Sequence, residues 1–133
     1  MKSLVLYTHA LIWYMSRSPR LSPAAHSAIR EVQAAGQPLF ISPVSIVEII
    51  YLTEKGSVDT THLPTVLSAL RRPDAEVILK PFDLDIAEAL QRIPRNVVPD
   101  MPDRMIAATA LHLDLPLVTT DAQIRAANVQ TIW

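Results

Sequence analysis

Residues 102–121, PDRMIAATALHLDLPLVTTD, place a helix pattern directly before a strand pattern, and this order indicates the fold class. The first half is rich in alanine and other helix formers, with a proline near the first turn, and Asp100 stands where a helix N-cap is expected. The second half contains a short apolar run at 116–119, which predicts a buried strand. Asp121 follows that strand directly and is expected to open a short helix.

Strands and helices alternate in the same way along the rest of the chain. Short apolar runs at 3–7, 38–41, 75–79 and 129–133 predict the other strands. Ser22-Pro23 and Ser42-Pro43 predict two helices ending at Gly36 and Gly56, since serine caps and proline suits the first helical position. Further helices are predicted at 9–15 with Thr8 as N-cap, at 61–72, and at 84–93 behind Asp83. The pattern predicts one α/β domain over residues 1–133 with a mostly parallel central sheet flanked by helices.

The composition excludes several classes of chemistry. Half of the 133 residues are apolar. The 13 acidic and 12 basic residues give a net charge of −1, which argues against a strongly basic protein that coats nucleic acid. With only two glycines, neither a dinucleotide-binding nor a P-loop phosphate motif is present. The chain has no cysteine and no G-x-S-x-G motif, which excludes thiolate zinc sites, thiol nucleophiles and a serine-hydrolase elbow. Oxygen and nitrogen groups must therefore carry any catalysis.

The amino-terminal segment loosely imitates a signal peptide. Lys2 precedes a mostly apolar stretch at 4–15, but Thr8 and His9 interrupt it and Arg17 and Arg20 follow it. No run approaches the roughly 20 apolar residues that cross a bilayer. We therefore predict a cytoplasmic protein with no membrane association.

Three acidic residues are predicted to lie where strands meet helices. Asp121 ends a strand, Asp103 lies in the first turn of a helix, and Glu48 has a mixed apolar and polar helical face. Ligands gather beyond the carboxyl ends of strands in such sheets, so the three acids are candidates for one cluster. Oxygen ligands without cysteine suit Mg²⁺ or Mn²⁺. The competing interpretations are a helix cap for Asp121 and a solvated or hydrogen-bonded surface residue for Glu48.

The histidines and two of the aromatic side chains are expected to have surface, packing or interface roles. The histidines show no i,i+4 pair and no H-E-x-x-H motif, and we expect surface or packing roles for all of them. Trp13 and Tyr14 are expected to be core or interface aromatics in preference to a base-stacking platform. The four histidines are His9, His26, His62 and His112.

Three sequence blocks together resemble a known family. They are LVLYTHALIWYM near the start, SPVSIVEIIYL in the middle and PDRMIAATALHLDLPLVTTD near the end. In order and spacing they resemble the PIN-domain ribonucleases, specifically the VapC-type toxins of type II toxin–antitoxin systems, over essentially the whole chain. The resemblance implies a three-layer PIN-like fold and a Mg²⁺-dependent endoribonuclease, with Mn²⁺ as an alternative metal.

The resemblance also implies the site residues. Glu48, Asp103 and Asp121 match three acids of the family, expected to act as metal ligands and in catalysis, with Thr8, Arg104 and Thr119 as substrate or supporting residues. The family's first metal-binding aspartate ends strand one, and here that position is Tyr7. A phenol with a pKa near 10 is neutral at pH 7 and is a poorer ligand than a carboxylate. From the sequence alone, either a natural substitution or a deliberate inactivation explains why this position holds tyrosine in place of aspartate.

Two functions stay open at the sequence level. One is an endoribonuclease toxin weakened or inactivated at Tyr7; the other is a non-catalytic PIN-fold module that sequesters an antitoxin or binds RNA without cleavage, with residues 10–15 as its interface. The expected partners are a cognate antitoxin, RNA and a second copy of the chain in a homodimer. A phosphatase-like enzyme is the least favoured interpretation. It would need a D-x-D pair at the end of a strand, whereas Asp83 and Asp85 lie where a helix is predicted to begin. Candidate phosphate contacts are Arg17, Arg20, Arg71, Arg72, Arg95 and Arg104.

Overall fold

The fold alternates strands and helices, as a computed structural model describing residues 2–133 shows. The strands are β1 (Leu4–Leu6), β2 (Leu39–Ile41), β3 (Val77–Leu79), β4 (Leu117–Val118) and β5 (Thr131–Ile132). The helices are α1 (Thr8–Met15), α2 (Pro23–Ala34), α3 (Pro43–Glu54), α4 (His62–Leu70), α5 (Leu84–Ala89), α6 (Met101–Leu113) and α7 (Ala122–Arg125), with a 3₁₀ turn at Leu90–Arg92.

The five strands form one sheet in which every pair is parallel. Their order is β3-β2-β1-β4-β5, with Val5 paired to both Phe40 and Leu117. The chain winds outward in one direction from β1 to β3 and in the other from β4 to β5. The strand order therefore switches between β1 and β4, and a crevice beyond their carboxyl ends is where a doubly wound sheet binds ligands. The predicted α/β fold with a parallel sheet is confirmed.

The sheet buries both faces, which makes three layers. Leu4 and Leu6 of β1 pack into one core cluster, while Val5 packs into the other, because alternate side chains of a strand point to opposite faces. Leu11 of α1 lies in the first cluster and Ile106 of α6 in the second, both with no exposed surface. Burial of each such side chain stabilises the fold by about 1.5–3 kcal/mol.

The predicted helix starts are largely confirmed by their caps. Ser22 and Ser42 accept hydrogen bonds from backbone N–H groups in the first turns of α2 and α3, each with proline next in sequence. Asp83, Asp100 and Asp121 cap α5, α6 and α7 in the same way. These caps are local, so the sequence alone was sufficient to predict them.

Two expectations about local structure are wrong. Thr8 is the first residue of α1 and not its N-cap; the N-cap is Tyr7, whose side chain makes no cap hydrogen bond. The predicted helix over 84–93 is instead α5 followed by the 3₁₀ turn. The guanidinium of Arg104 donates hydrogen bonds to the carbonyls of Leu90 and Ile93 in this segment, and Pro94 follows it.

The expected interface on α1 is largely internal. Ala10, Leu11 and Ile12 are buried in the core, while Trp13 is half-buried and packs against it. Within residues 2–133, no helix has the length and apolar character needed to cross a membrane.

Candidate active site

Tyr7 lies at the carboxyl end of the central strand, at the switch in strand order. Its hydroxyl donates a hydrogen bond of 2.7 Å to Oδ1 of Asp103, in the first turn of α6. Both side chains are buried, with 6% and 8% of their surface exposed. The parallel topology thus joins the position after β1 to the start of a helix 96 residues further along the chain.

Burial and hydrogen bonding fix the protonation of this pair. Desolvation raises the pKa of Tyr7 far above its usual value, and the bond to Asp103 and the nearby carboxylates raise it further, so the phenol keeps its proton. Desolvation also raises the pKa of Asp103 to about 6. The hydrogen bond from Tyr7 opposes that rise, while the charges of Asp100, Asp121 and Glu48 add to it.

Thr8 connects α1 to Glu48 on α3. Its hydroxyl donates to Oε1 of Glu48 at 2.5 Å and lies 3.0 Å from the hydroxyl of Ser45. Thr8 has one proton, and an ionised carboxylate only accepts, so the Ser45 hydroxyl donates to Thr8. Burial raises the pKa of Glu48, and the Thr8 bond and the nearby His9 lower it. Thr8 and Ser45 are fully buried, which holds the half-buried Glu48 in place.

Asp121 and Thr119 follow β4 and support each other. The backbone N–H of Asp121 donates to Oγ1 of Thr119 at 3.0 Å, and Oδ1 of Asp121 accepts from the N–H of Ile124 at 2.9 Å. Asp121 therefore has the helix-cap role that was the competing interpretation. Its charge also acts on the pKa of both Tyr7 and Asp103, so it belongs to the same electrostatic environment.

The charges of the three predicted acids all affect Tyr7, and one of them contacts it directly. Asp103, Glu48 and Asp121 all raise the pKa of its phenol, and Asp103 accepts its hydrogen bond. The acids lie on different elements, α6, α3 and the turn after β4. Tyr7 stands at the position where the resemblance implies a fourth acid.

The side chains in this arrangement do not fit a bound Mg²⁺ or Mn²⁺. Over residues 2–133, no group of three or more His, Asp or Glu side chains is placed so that it could hold a metal ion. Oδ1 of Asp103 is already occupied by the phenolic proton, and Oε1 of Glu48 by the hydroxyl of Thr8. A neutral phenol with a hydrogen-bond donor directed at Asp103 stands where a metal site needs an anionic oxygen.

Arg104 was expected to orient a carboxylate or contact substrate, and its hydrogen bonds show a different role. Its Nη2 donates to the main-chain carbonyls of Leu90 at 3.0 Å and Ile93 at 2.8 Å. Its Nε is buried without a partner. The guanidinium therefore joins the end of the 3₁₀ turn to the start of α6 and makes no hydrogen bond to Asp103.

His9 is a residue at this site that the sequence analysis left among ordinary surface residues. Its exposed imidazole stacks on the ring of Tyr7, with centroids 5.6 Å apart and planes at 24°. Its charge also lowers the pKa of Glu48. The signal available in the sequence was its place two residues after Tyr7, in the block that carries the resemblance.

Comparison with known proteins agrees with this fold. A three-layer α/β domain with acids at the carboxyl edge of a parallel sheet defines the class, and the PIN domain family matches residues 4–129. The chain belongs to the PIN domain family. It is similar to Ribonuclease VapC22 of Mycobacterium tuberculosis, with 29% identity over all of both chains.

Solved structures show the same fold at low sequence identity. The structure of VapBC2 from Rickettsia felis bound to a promoter DNA fragment matches with a TM-score of 0.71 and 14% identity, covering 97% of this chain and 96% of that one. DNA-bound VapBC from Salmonella typhimurium matches with a TM-score of 0.67 and 19% identity, covering 98% and 97%. VapBC-5 from Mycobacterium tuberculosis matches with a TM-score of 0.59 and 20% identity, covering 98% of each chain.

Proposed function

We propose that this chain is a VapC-type endoribonuclease toxin whose Mg²⁺-dependent chemistry is weakened or blocked at Tyr7. The family, the full-length similarity to a VapC ribonuclease and the acids around Tyr7 support the nuclease class. The observation that carries the proposal is the buried bond from the Tyr7 hydroxyl to Asp103. The phenol both removes one anionic ligand and occupies an oxygen of another.

The size of the defect follows from the missing charge. A unit charge pair about 4 Å apart contributes roughly 4 kcal/mol at an effective dielectric near 20. Since 1.4 kcal/mol is about tenfold, loss of one carboxylate ligand lowers metal occupancy or rate by about two to three orders of magnitude. The larger tyrosine side chain adds a steric block to this electrostatic loss.

The test compares RNA cleavage by this chain and by Tyr7→Asp, each with Mg²⁺, with Mn²⁺ and with a chelator. We expect Tyr7→Asp to cleave RNA only with divalent metal, about a hundredfold or more faster than the unchanged chain. Tyr7→Asn serves as the matched control, because it opens the same space without restoring the charge. If Tyr7→Asp stays inert on both structured and single-stranded RNA, the nuclease proposal is wrong.

The second candidate function is a non-catalytic module that sequesters antitoxin or binds RNA without cutting it. The metal-incompatible arrangement at Tyr7 is the observation that favours it. Calorimetric titration of the unchanged chain with Mg²⁺ tests this candidate. Clear binding of Mg²⁺ would count against a non-catalytic module. Absence of binding fits both the module and a blocked nuclease, and cleavage of RNA by Tyr7→Asp then separates them.

The proposed partners are a cognate antitoxin, RNA and a second copy of the chain. Solved structures of the same fold include a toxin-antitoxin complex from Klebsiella pneumoniae and a member of the VapBC family of toxin-antitoxin systems, which supports the antitoxin. We propose a homodimer in the cytoplasm, with the antitoxin laid over the candidate active site. Sedimentation velocity of the chain alone and with its antitoxin tests both assemblies.

A further inference from the structure

We propose that the rings of His9, Trp13 and Trp133 form a stacking row that guides single-stranded RNA to the candidate active site. The proposal deepens the proposed function, because it rests on RNA being the ligand of that site. It assigns a role to the exposed sides of these rings, which packing against the core leaves open.

The row is continuous with the site and begins on Tyr7. The imidazole of His9 stacks on the Tyr7 ring at 5.6 Å, and the Trp13 ring lies 5.7 Å from His9. Trp133 follows at 5.6 Å from Trp13. His9 and Trp13 are four residues apart on α1, so they share one face of the helix. A chain of rings therefore leads away from the acids along the outside of α1.

The rings combine anchoring with access to solvent. His9 is exposed, and Trp13 and Trp133 are half-buried, packed on one side against the core. A ring held from behind by the core has little entropy left to lose when a base stacks on its open face. Stacking of a base on an aromatic side chain contributes about 1–3 kcal/mol and tolerates any sequence.

Trp13, the middle ring of the row, also lines a groove of about 720 Å³ that contains Arg17 and Arg72. This volume is in the range that binds drug-sized ligands, so a nucleoside fits. Neither arginine forms a salt bridge within the described part of the chain, and both remain available for phosphate.

Two acids, Asp74 and Glu76, line the same groove and balance its two arginines in formal charge. Glu76 accepts a hydrogen bond from the side chain of Gln33. The first thirty residues, which include α1 and Arg17, contain four basic residues and no acidic one. Arg17, which follows the end of α1, lines the groove together with Trp13. An aromatic ring next to a cationic side chain is a combination found on single-strand binding surfaces.

The experiment uses the chain's own fluorescence. The only two tryptophans are Trp13 and Trp133, and both belong to the row. A short single-stranded RNA of mixed sequence, without divalent metal, should quench this fluorescence. The same RNA annealed to its complement should quench far less, because its bases are already stacked. With Trp133→Phe, the remaining signal reports Trp13 alone and should still be quenched.

Two variants assign the effect to the row. His9→Ala removes an exposed ring and should weaken single-strand binding at least about fivefold, the equivalent of 1 kcal/mol. His112→Ala, another exposed histidine on α6, is the matched control and should leave binding unchanged. Circular dichroism of both variants should show the fold unchanged.

Four outcomes overturn the proposal: no quenching, equal quenching by duplex RNA, equal losses in His9→Ala and His112→Ala, or quenching by antitoxin but not by RNA, which would make the row a protein-docking surface. The tests of the two proposals are separable. If Tyr7→Asp cleaves RNA but the single strand leaves the tryptophans unchanged, only the stacking row is wrong. If the single strand quenches but Tyr7→Asp is inert, only the nuclease proposal is wrong.

Discussion

Removal of the Tyr7 hydroxyl is the perturbation that the buried Tyr7–Asp103 bond makes most informative. Tyr7→Phe keeps the ring in the core and deletes the single side-chain donor that reaches Asp103. A hydrogen bond to a charged group contributes about 1.5–3 kcal/mol, and Asp103 is only 8% exposed, so water replaces the donor poorly. We expect Tyr7→Phe to lower the free energy of unfolding by about 2 kcal/mol at neutral pH.

The assay is urea unfolding of both proteins at neutral and at mildly acidic pH. For a chain of this size, 2 kcal/mol corresponds to a fall in Tm of roughly 6–10 °C. Because the Tyr7 hydrogen bond lowers the pKa of Asp103, its removal lets that carboxyl protonate more readily. The loss should therefore be smaller near pH 5 than at pH 7.

Tyr51→Phe is the matched control, since Tyr51 is 64% exposed on α3. It should change the stability by less than about 0.5 kcal/mol. If Tyr7→Phe is as stable as the unchanged chain at pH 7, the bond from Tyr7 to Asp103 does not stabilise the fold.

Three further predictions follow from single contacts. Arg104→Met should lower the free energy of unfolding by about 2 kcal/mol, because two hydrogen bonds to main-chain carbonyls are lost and the Ile93 carbonyl loses its side-chain donor; equal urea midpoints would contradict this. Thr8→Val should cost about 1–2 kcal/mol and raise the pKa of Glu48, as NMR titration of the carboxyl would show; an unchanged pKa would be the contrary result. Burial raises the pKa of Asp103 from 3.8 to about 6. The contribution of this carboxyl to the free energy of unfolding is therefore fully present below about pH 4. It is lost as the pH rises through 6, and the loss amounts to up to about 3 kcal/mol. Asp103→Asn should flatten this dependence in unfolding experiments across that range, and an undiminished slope would assign it to other groups.

The features predictable from sequence are those that local chemistry determines. The serine and aspartate caps of α2, α3, α5, α6 and α7 depend on a few neighbouring residues, and the structure has all of them. The apolar runs likewise predict the strands, although the observed strands are shorter by one or more residues at their ends. Alternation of these elements was sufficient to predict the parallel sheet.

Features that depend on long-range packing were beyond the sequence. The side chain of Arg104 is oriented by two carbonyls that lie ten or more residues earlier in the chain. The adjacent residue, Asp103, does not indicate these partners. Threonine is a residue type that often caps helices, which is why Thr8 was predicted to be an N-cap. In the fold, α3 places Ser45 and Glu48 against Thr8, and its hydroxyl forms hydrogen bonds with both of them. The position of Tyr7 was readable from the resemblance, whereas its hydrogen bond to Asp103 required the fold.

The measurement that tests the central claim most directly is Mg²⁺ binding to the unchanged chain and to Tyr7→Asp, by isothermal titration calorimetry under identical conditions. We expect Tyr7→Asp to bind Mg²⁺ and the unchanged chain to bind it at least about a hundredfold more weakly, because one carboxylate ligand is missing and Asp103 accepts the hydrogen bond of the phenol. Equal affinity in the two proteins, or binding by the unchanged chain alone, would contradict it.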